Sequence, residues 1–119
     1  MIERTQINAY IEKTFHVKAE KRFTKFPDYD VFRRLDDHKW FGIVMDINES
    51  KMGLAGSKQI NLINLKLEPE LIGILLGKDA YFPAYHMNKE HWISINLNAD
   101  EMTMGELKPL IDASYQLAE

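Results

Sequence analysis

Apolar residues along this chain recur with two different periods, and the switches between them set out an order of elements. From Thr5 to Phe15, Ile7, Tyr10, Ile11 and Phe15 stand at helical spacing, with Thr5 positioned to cap the first free amides. This stretch reads as an amphipathic helix. Between Lys18 and Lys25 charged residues alternate with Ala19 and Phe23, which predicts a short edge strand closed by the Lys25-Phe26-Pro27-Asp28 turn signal. Tyr29, Val31, Arg33 and Leu35 then alternate up to the polar tetrad Asp36-Asp37-His38-Lys39, and the run from Trp40 to Ile47 follows. Two antiparallel strands joined by a tight loop are expected. In the second, unbroken alternation sets Phe41, Ile43, Met45 and Ile47 on one side and Trp40, Val44 and Asp46 on the other, with one side meeting the helices.

Asn48 to Gln59 is polar and carries Gly53, Gly56, Lys51 and Lys58, so it reads as a long, mobile connection or wing before a strand over Ile60 to Leu67. Glu68-Pro69-Glu70 opens a second helix, since proline suits a first turn and acids there suit the helix dipole. Leu71, Ile72, Leu75 and Leu76 form its stripe, and Gly77 is placed to close it in a left-handed conformation. A loop from Asp79 to Glu90 leads to an alternating strand, His91 to Leu97, with Ile93, Ile95 and Leu97 on one face. Thr103-Met104-Gly105-Glu106 has the form of a capping box before a last helix with the stripe Leu107, Leu110, Ile111, Ser114 and Leu117 or Ala118. Pro109 inside it predicts a start near Lys108 or a kink. Helix, three or four strands, helix, one or two strands, helix: this order predicts an α+β two-layer sandwich, an antiparallel sheet with helices on one face.

Length makes this one domain over residues 1–119, and 45% hydrophobic with 28% charged residues matches a globular chain rather than a disordered one. There is no cysteine, which removes disulfides, thiolate metal sites and cysteine nucleophiles and fits a cytoplasmic location. The polar N-terminus lacks the apolar run of a secretory signal, and no apolar stretch approaches membrane-spanning length, so neither export nor a membrane partner is expected. The net charge of −3 argues against bulk attraction to nucleic acid. The distribution is uneven, however: Lys51, Lys58 and Lys66 stand in a window without acids, while acids dominate from Asp100 onward.

Candidate chemistry concentrates in Tyr85-His86-Met87-Asn88-Lys89-Glu90-His91-Trp92. His86 and His91 are five residues apart, a spacing that does not bring both imidazoles to one helical face, so no metal site is expected. His86 beside Glu90 could support acid–base chemistry, but no nucleophile elbow, zinc-helix motif, P-loop or dinucleotide fingerprint completes a mechanism. The reading is a binding protein rather than an enzyme, without a cofactor. Trp40 and Trp92 lie opposite the isoleucine-rich sides of their strands, either packed under loops or flooring a contact surface rimmed by Lys39, Lys89 and His91.

Pro83-Ala84-Tyr85-His86-Met87-Asn88-Lys89 and His91-Trp92-Ile93, with Lys39-Trp40-Phe41, Asn64-Leu65-Lys66 and Ser114-Tyr115, resemble in order the signature of the MmcQ/YjbR family. The resemblance implies a two-layer α+β fold like that of secretion chaperones, with a curved antiparallel sheet, and a DNA-binding role through wing-like hairpins. On that reading duplex DNA meets Lys51, Lys58 and Lys66 at its phosphates and the Tyr85 to His91 segment at its groove. Two alternatives stand beside it. One is a protein-interaction module that receives another protein or a second copy of itself on the open sheet face; the other is a small-molecule site at His86, Asn88 and His91.

Overall fold

In the computed structural model, residues 1–117 are described, and the first helix, α1, spans Arg4–Phe15. Its cap is Glu3 rather than Thr5, which lies inside the first turn: the Glu3 carboxylate accepts from the Gln6 amide, and the Glu3 amide donates to Gln6 Oε1 at 2.8 Å. The start is shifted because the preceding chain is pinned. Ile2 is buried and its amide donates to the Leu97 carbonyl at 2.8 Å, while the terminal ammonium donates to the Met102 carbonyl at 2.9 Å. The predicted strand over Lys18 to Lys25 shrinks to a single bridge, Glu20 to Val31.

Five strands follow: β1 Asp30–Arg33, β2 Trp40–Asn48, β3 Gln59–Lys66, β4 Tyr81–Pro83 and β5 Trp92–Asn96. They form one sheet in the order β1-β2-β3-β5-β4 with every pairing antiparallel. A helix, α2, spans Pro69–Leu75 between β3 and β4, and the last helix, α3, spans Met104–Leu117. Ile7 and Ile11 of α1, Ile72 and Leu75 of α2, and Leu107 and Ile111 of α3 all bury themselves in one cluster with Phe32, Phe41, Ile63, Leu65, Ile93 and Ile95 of the sheet. The helices therefore share one face, as the pattern predicts. α2 ends without a left-handed glycine: its C-cap is Leu76 in right-handed geometry, so the predicted role of Gly77 is not realised.

The face assignment predicted for β2 is overturned by a β-bulge. Phe32 of β1 pairs with Gly42 but Arg33 pairs with Trp40, so Phe41 has no partner on β1 and the alternation slips by one residue. Phe41 and Val44 join the helix-side cluster, while Ile43, Met45 and Ile47 turn to the opposite face together with Trp40. A matching gap lies on the β3 side. The register that aligns Gly42 with Leu65 would set Phe41 opposite Lys66, yet pairing stops one step short. Between those two residues stands the fully buried hydroxyl of Ser114 on α3, accepting from the Lys66 amide at 2.9 Å and donating to the Phe41 carbonyl at 2.6 Å. One side-chain oxygen thus completes the ladder where the bulge opens it.

Pro109 is accommodated within α3, which runs unbroken from Met104 instead of starting near Lys108. Thr103 Oγ1 accepts from the Glu106 amide at 3.2 Å, the expected half of the capping box. An interior proline costs about 3 kcal/mol, and the full burial of Leu107 and Ile111 on either side of it, each contributing roughly 1.5–3 kcal/mol, offsets that loss. Leu107, Ile111 and Ser114 are the buried stripe, and Ala118 lies outside the described residues. The aromatic ring of Tyr115 stacks on Phe15 at 4.1 Å and meets Phe41 edge-on at 4.8 Å, clamping α1 and α3 over the bulge.

The Ser114 bridge makes a checkable claim about stability. Ser114→Ala leaves a buried amide and a buried carbonyl without partners, and a loss of about 1–3 kcal/mol is expected in urea unfolding. Ser114→Thr, which keeps the oxygen, should lose less than Ser114→Ala if the hydroxyl matters more than the volume. Equal losses would show that the oxygen contributes nothing.

Candidate binding site

The second face of the sheet carries its own apolar cluster. Tyr29, Val31, Ile43, Met45, Ile47, Ile60 and Leu62 are buried there, and Phe23, Trp40, Met52, Leu54, Tyr85 and Met87 pack over them. Trp40 is half-buried with its indole edge-on to Phe23 at 5.9 Å. It is thus a covering residue and not an open floor. The connection between β2 and β3 is a structured hairpin end: Asn48 Oδ1 accepts from the Ser50 amide, a 3-10 turn runs over Glu49–Met52, and Gly53 closes it at φ 79°.

The β4–β5 connection lies across this face, and two fully buried polar residues of the sheet tie it down. Asn64 of β3 and Ser94 of β5 are cross-strand partners. The Ser94 hydroxyl accepts from the Tyr85 amide at 2.9 Å and donates to Asn64 Oδ1, while Asn64 Nδ2 donates to the Tyr85 carbonyl at 3.0 Å. Both backbone groups of Tyr85 are therefore satisfied by side chains, and the three residues close one ring of hydrogen bonds. Among the described residues no buried side-chain nitrogen or oxygen lacks a partner. The next residue, His86, sits in the left-handed region at φ 60°, and its ring lies against that of Tyr85 with centroids 3.9 Å apart and planes tilted by 47°.

Further along, Asn88 organises the turn into β5. Its Oδ1 accepts from the amides of Glu90 at 2.8 Å and His91 at 3.2 Å, and its carbonyl accepts from the Trp92 amide at 3.0 Å. The sequence marks Asn88 as a contact residue, but its oxygen is committed to shaping the loop. His91 is exposed and its carbonyl accepts from the Leu67 amide at 3.0 Å, joining the loop to the end of β3. β5 begins at Trp92 and not at His91.

An open cleft of about 330 Å³ lies where the two connections meet, lined by Lys51 and Met52 from one and by Phe82 to His86 and Lys89 from the other. Of the sequence-predicted residues the fold gathers Lys51, Tyr85, His86 and Lys89 here. It leaves the others off the cleft wall. Lys39 is exposed in the β1–β2 turn with its amide bonded to Asp37 Oδ1, and Lys58 is exposed at the start of β3, its carbonyl accepting from Glu49. Lys66 is half-buried directly opposite Trp92 in the sheet register, on the second face. Among the described residues Lys51, Lys89 and Lys66 make no ion pair, and no hydrogen bond joins His86 to Glu90. No group of three or more metal-ligating side chains comes together among the described residues.

The cleft wall is held from behind as well. Tyr81, beside Phe82 on β4, donates its phenol hydrogen to Glu106 on α3, whose carboxylate also pairs with Lys78 at 3.0 Å. Burial, and then that bond, push the Tyr81 phenol above its ordinary range, while hydrogen bonds from Tyr81 and Lys78 hold Glu106 below the usual carboxylate value. Sequence reasoning missed Asn64 and Ser94 as anchors. A polar residue at an inward position of each of two strands was the available signal, and it becomes readable only once the strands are known to be neighbours.

The ring of hydrogen bonds through Tyr85 predicts coupling. Ser94→Ala and Asn64→Leu should each destabilise by about 1–3 kcal/mol, and the double variant should lose less than the sum because the two act on one network. Amide exchange at Tyr85, followed by NMR, should accelerate in either variant while exchange in α1 keeps its rank. Additive losses would mean that the two side chains act separately.

Comparison with known proteins agrees with this architecture. A family model described as YjbR matches residues 13–117. The uncharacterized protein YyaQ of Bacillus subtilis is 34% identical over 119 residues, spanning 100% of both chains. A crystal structure of a Pseudomonas syringae protein shares 43% identity and superposes with a TM-score of 0.94, covering 99% of this chain and 100% of that one. A Deinococcus radiodurans protein with a DUF419 domain, at 20% identity and a TM-score of 0.74 over 98% of this chain and 78% of its own, shares the fold. The signature residues read from the sequence, the two-layer architecture and these matches lead to one conclusion: the chain belongs to the YjbR family.

Proposed function

We propose that this protein is a non-enzymatic binding module and that its ligand is duplex DNA, engaged at the cleft between the β2–β3 and β4–β5 connections. The observation that carries the reading is the convergence of Lys51 and Lys89, each without an acidic partner among the described residues, on one concave surface with the Tyr85–His86 ring pair. Two ammonium groups on opposite connections suit consecutive phosphates, which set register and orientation rather than sequence. The tilted ring pair offers an aromatic face for sugar or base contact. Lys66 and Lys58 are secondary here, since neither lines the cleft. With a net charge of −3 the attraction is local, so affinity should be modest and strongly dependent on salt.

A protein-contact role for the sheet face is less well supported, because Phe23, Trp40, Met52, Leu54, Tyr85 and Met87 already cover much of it.

Fluorescence anisotropy with a labelled duplex at low salt tests the proposal. Binding in the micromolar range is expected, and Lys51→Ala or Lys89→Ala should each weaken it and reduce the slope of log K against log salt by roughly 0.9. Lys58→Ala should change the slope less. Absence of binding at tens of micromolar protein, or equal effects of all three substitutions, would overturn the assignment to this cleft.

A further inference from the structure

The two connections that build the cleft are not fastened to the sheet by hydrogen bonds at their outer ends. Those made by residues 49–57 stay within residues 48–58 among the described residues: Glu49 bonds to Lys58, Ser50 to Asn48, Gly53 to Ser50, Leu54 to Glu49 and Ser57 to Asn48. In the other connection the backbone of Tyr85 is bonded to Asn64 and Ser94, but the hydrogen bonds of residues 86–90 stay within residues 88–92 among the described residues. Polar contacts shape each loop without joining its outer part to the face beneath.

That attachment falls to apolar side chains. Met52 and Leu54 pack over the second-face cluster from the β2–β3 connection, and Met87 does so from the β4–β5 connection, two residues past the bonded Tyr85. Met52 lines the cleft next to Lys51, and Met87 follows directly on His86. The positions of Lys51, His86 and Lys89 therefore depend on two thioethers staying packed on the sheet.

A thioether is a flexible apolar group until it is oxidised, and the sulfoxide is polar. A peroxide makes the conversion by giving one oxygen to sulfur. The S–O bond forms with an electron pair from sulfur, the O–O bond breaks, and the departing oxygen takes the proton and leaves as water, or as an alcohol from an organic peroxide. Access selects the sites: Met52 and Met87 are half-buried, whereas Met45 in the cluster beneath is 3% exposed and Met102 in the helix-side core is 1% exposed. With no cysteine in the chain, methionine is the sulfur on which such an oxidant acts. The cluster under Met52 and Met87 is largely aliphatic, with Ile43, Ile47, Ile60 and Leu62 among its members, so a sulfoxide pressed into it loses its hydrogen bonds to water without replacement.

We propose that Met52 and Met87 form an oxidation-sensitive latch on the cleft. A peroxide-class oxidant converts either thioether to the sulfoxide, the connection that carries it lifts from the sheet, and the cleft comes apart. Reduction of the sulfoxide restores the closed form. The loss of ligand that follows rests on the DNA reading above; the loosening of the connections does not.

Hydrogen peroxide applied to the full chain tests the latch. Peptide mass spectrometry should find Met52 and Met87 oxidised roughly fivefold or more faster than Met45 and Met102. Amide exchange followed by NMR should then accelerate at residues 51–54 and 86–90. Met52→Leu with Met87→Leu keeps the apolar bulk, so this double variant should melt near the parent temperature and show no such acceleration, although the more accessible Met1 and Met104 still oxidise. Met52→Gln and Met87→Gln, which put a polar group in place of the thioether, should each loosen their own connection without peroxide. In anisotropy the oxidised parent should bind the labelled duplex several-fold more weakly, and the leucine double variant should bind equally before and after treatment. If the untreated parent binds no duplex, the DNA reading falls and amide exchange alone decides the latch. Equal oxidation of half-buried and buried methionines, unchanged exchange after sulfoxide formation, a leucine double variant that responds as the parent does, or duplex binding indifferent to oxidation would each overturn the inference.

Discussion

The hydroxyl of Ser114, set between the Phe41 carbonyl and the Lys66 amide, is the interaction on which the two-sided sheet depends. A bulge leaves backbone groups without cross-strand partners, and in a buried location that loss would be costly. By supplying both a donor and an acceptor, α3 makes the slip in β2 tolerable at the place where the helices cover it. Downstream of the slip Ile43, Met45 and Ile47 point away from the helices, and upstream Trp40 points the same way. The sheet acquires a second apolar side, and this side needs a cover.

That cover is made by the chain's own connections. Met52 and Leu54 arrive from the β2–β3 end and Tyr85 and Met87 from the β4–β5 segment. Their packing leaves Lys51, His86 and Lys89 at the surface, where they border a common cleft. Asn64 and Ser94 reinforce the arrangement, because a polar pair inside an apolar face is favourable only if it is fully bonded, and the backbone of Tyr85 supplies the missing partners. Burial thus dictates where the loop sits, and the loop's position gathers the cations. Electrostatics enters last, as a consequence of packing.

Much of this was legible in the sequence. The α1 and α3 stripes, the capping box at Thr103, the hairpin around Asp36 to Lys39 and the antiparallel two-layer order all follow from residue spacing. So does the exposure of the histidine-bearing loop, since His86, Lys89 and His91 are polar residues in a turn-rich stretch. The face of Ile43 was not legible. Alternation reports strand faces only while the register is unbroken, and the groups freed by the slip at Phe41 are satisfied by a serine 73 residues away. The same limit explains Thr5, whose capping role passes to Glu3 because Ile2 is fastened to Leu97 from across the chain. Asn88 reads as a contact residue by type, whereas its geometry makes it a turn former.

The account's central claim is that β2 changes face at Phe41, and nuclear Overhauser contacts of the Trp40 indole in labelled protein test it most directly. Cross-peaks to Phe23 and to the methyl groups of the Ile43 side, with none to Val44 or Ile63, are the predicted pattern. Cross-peaks from the indole to Val44 and Ile63 would mean that alternation runs unbroken through β2, and the second apolar side with the cleft built upon it would not exist as described.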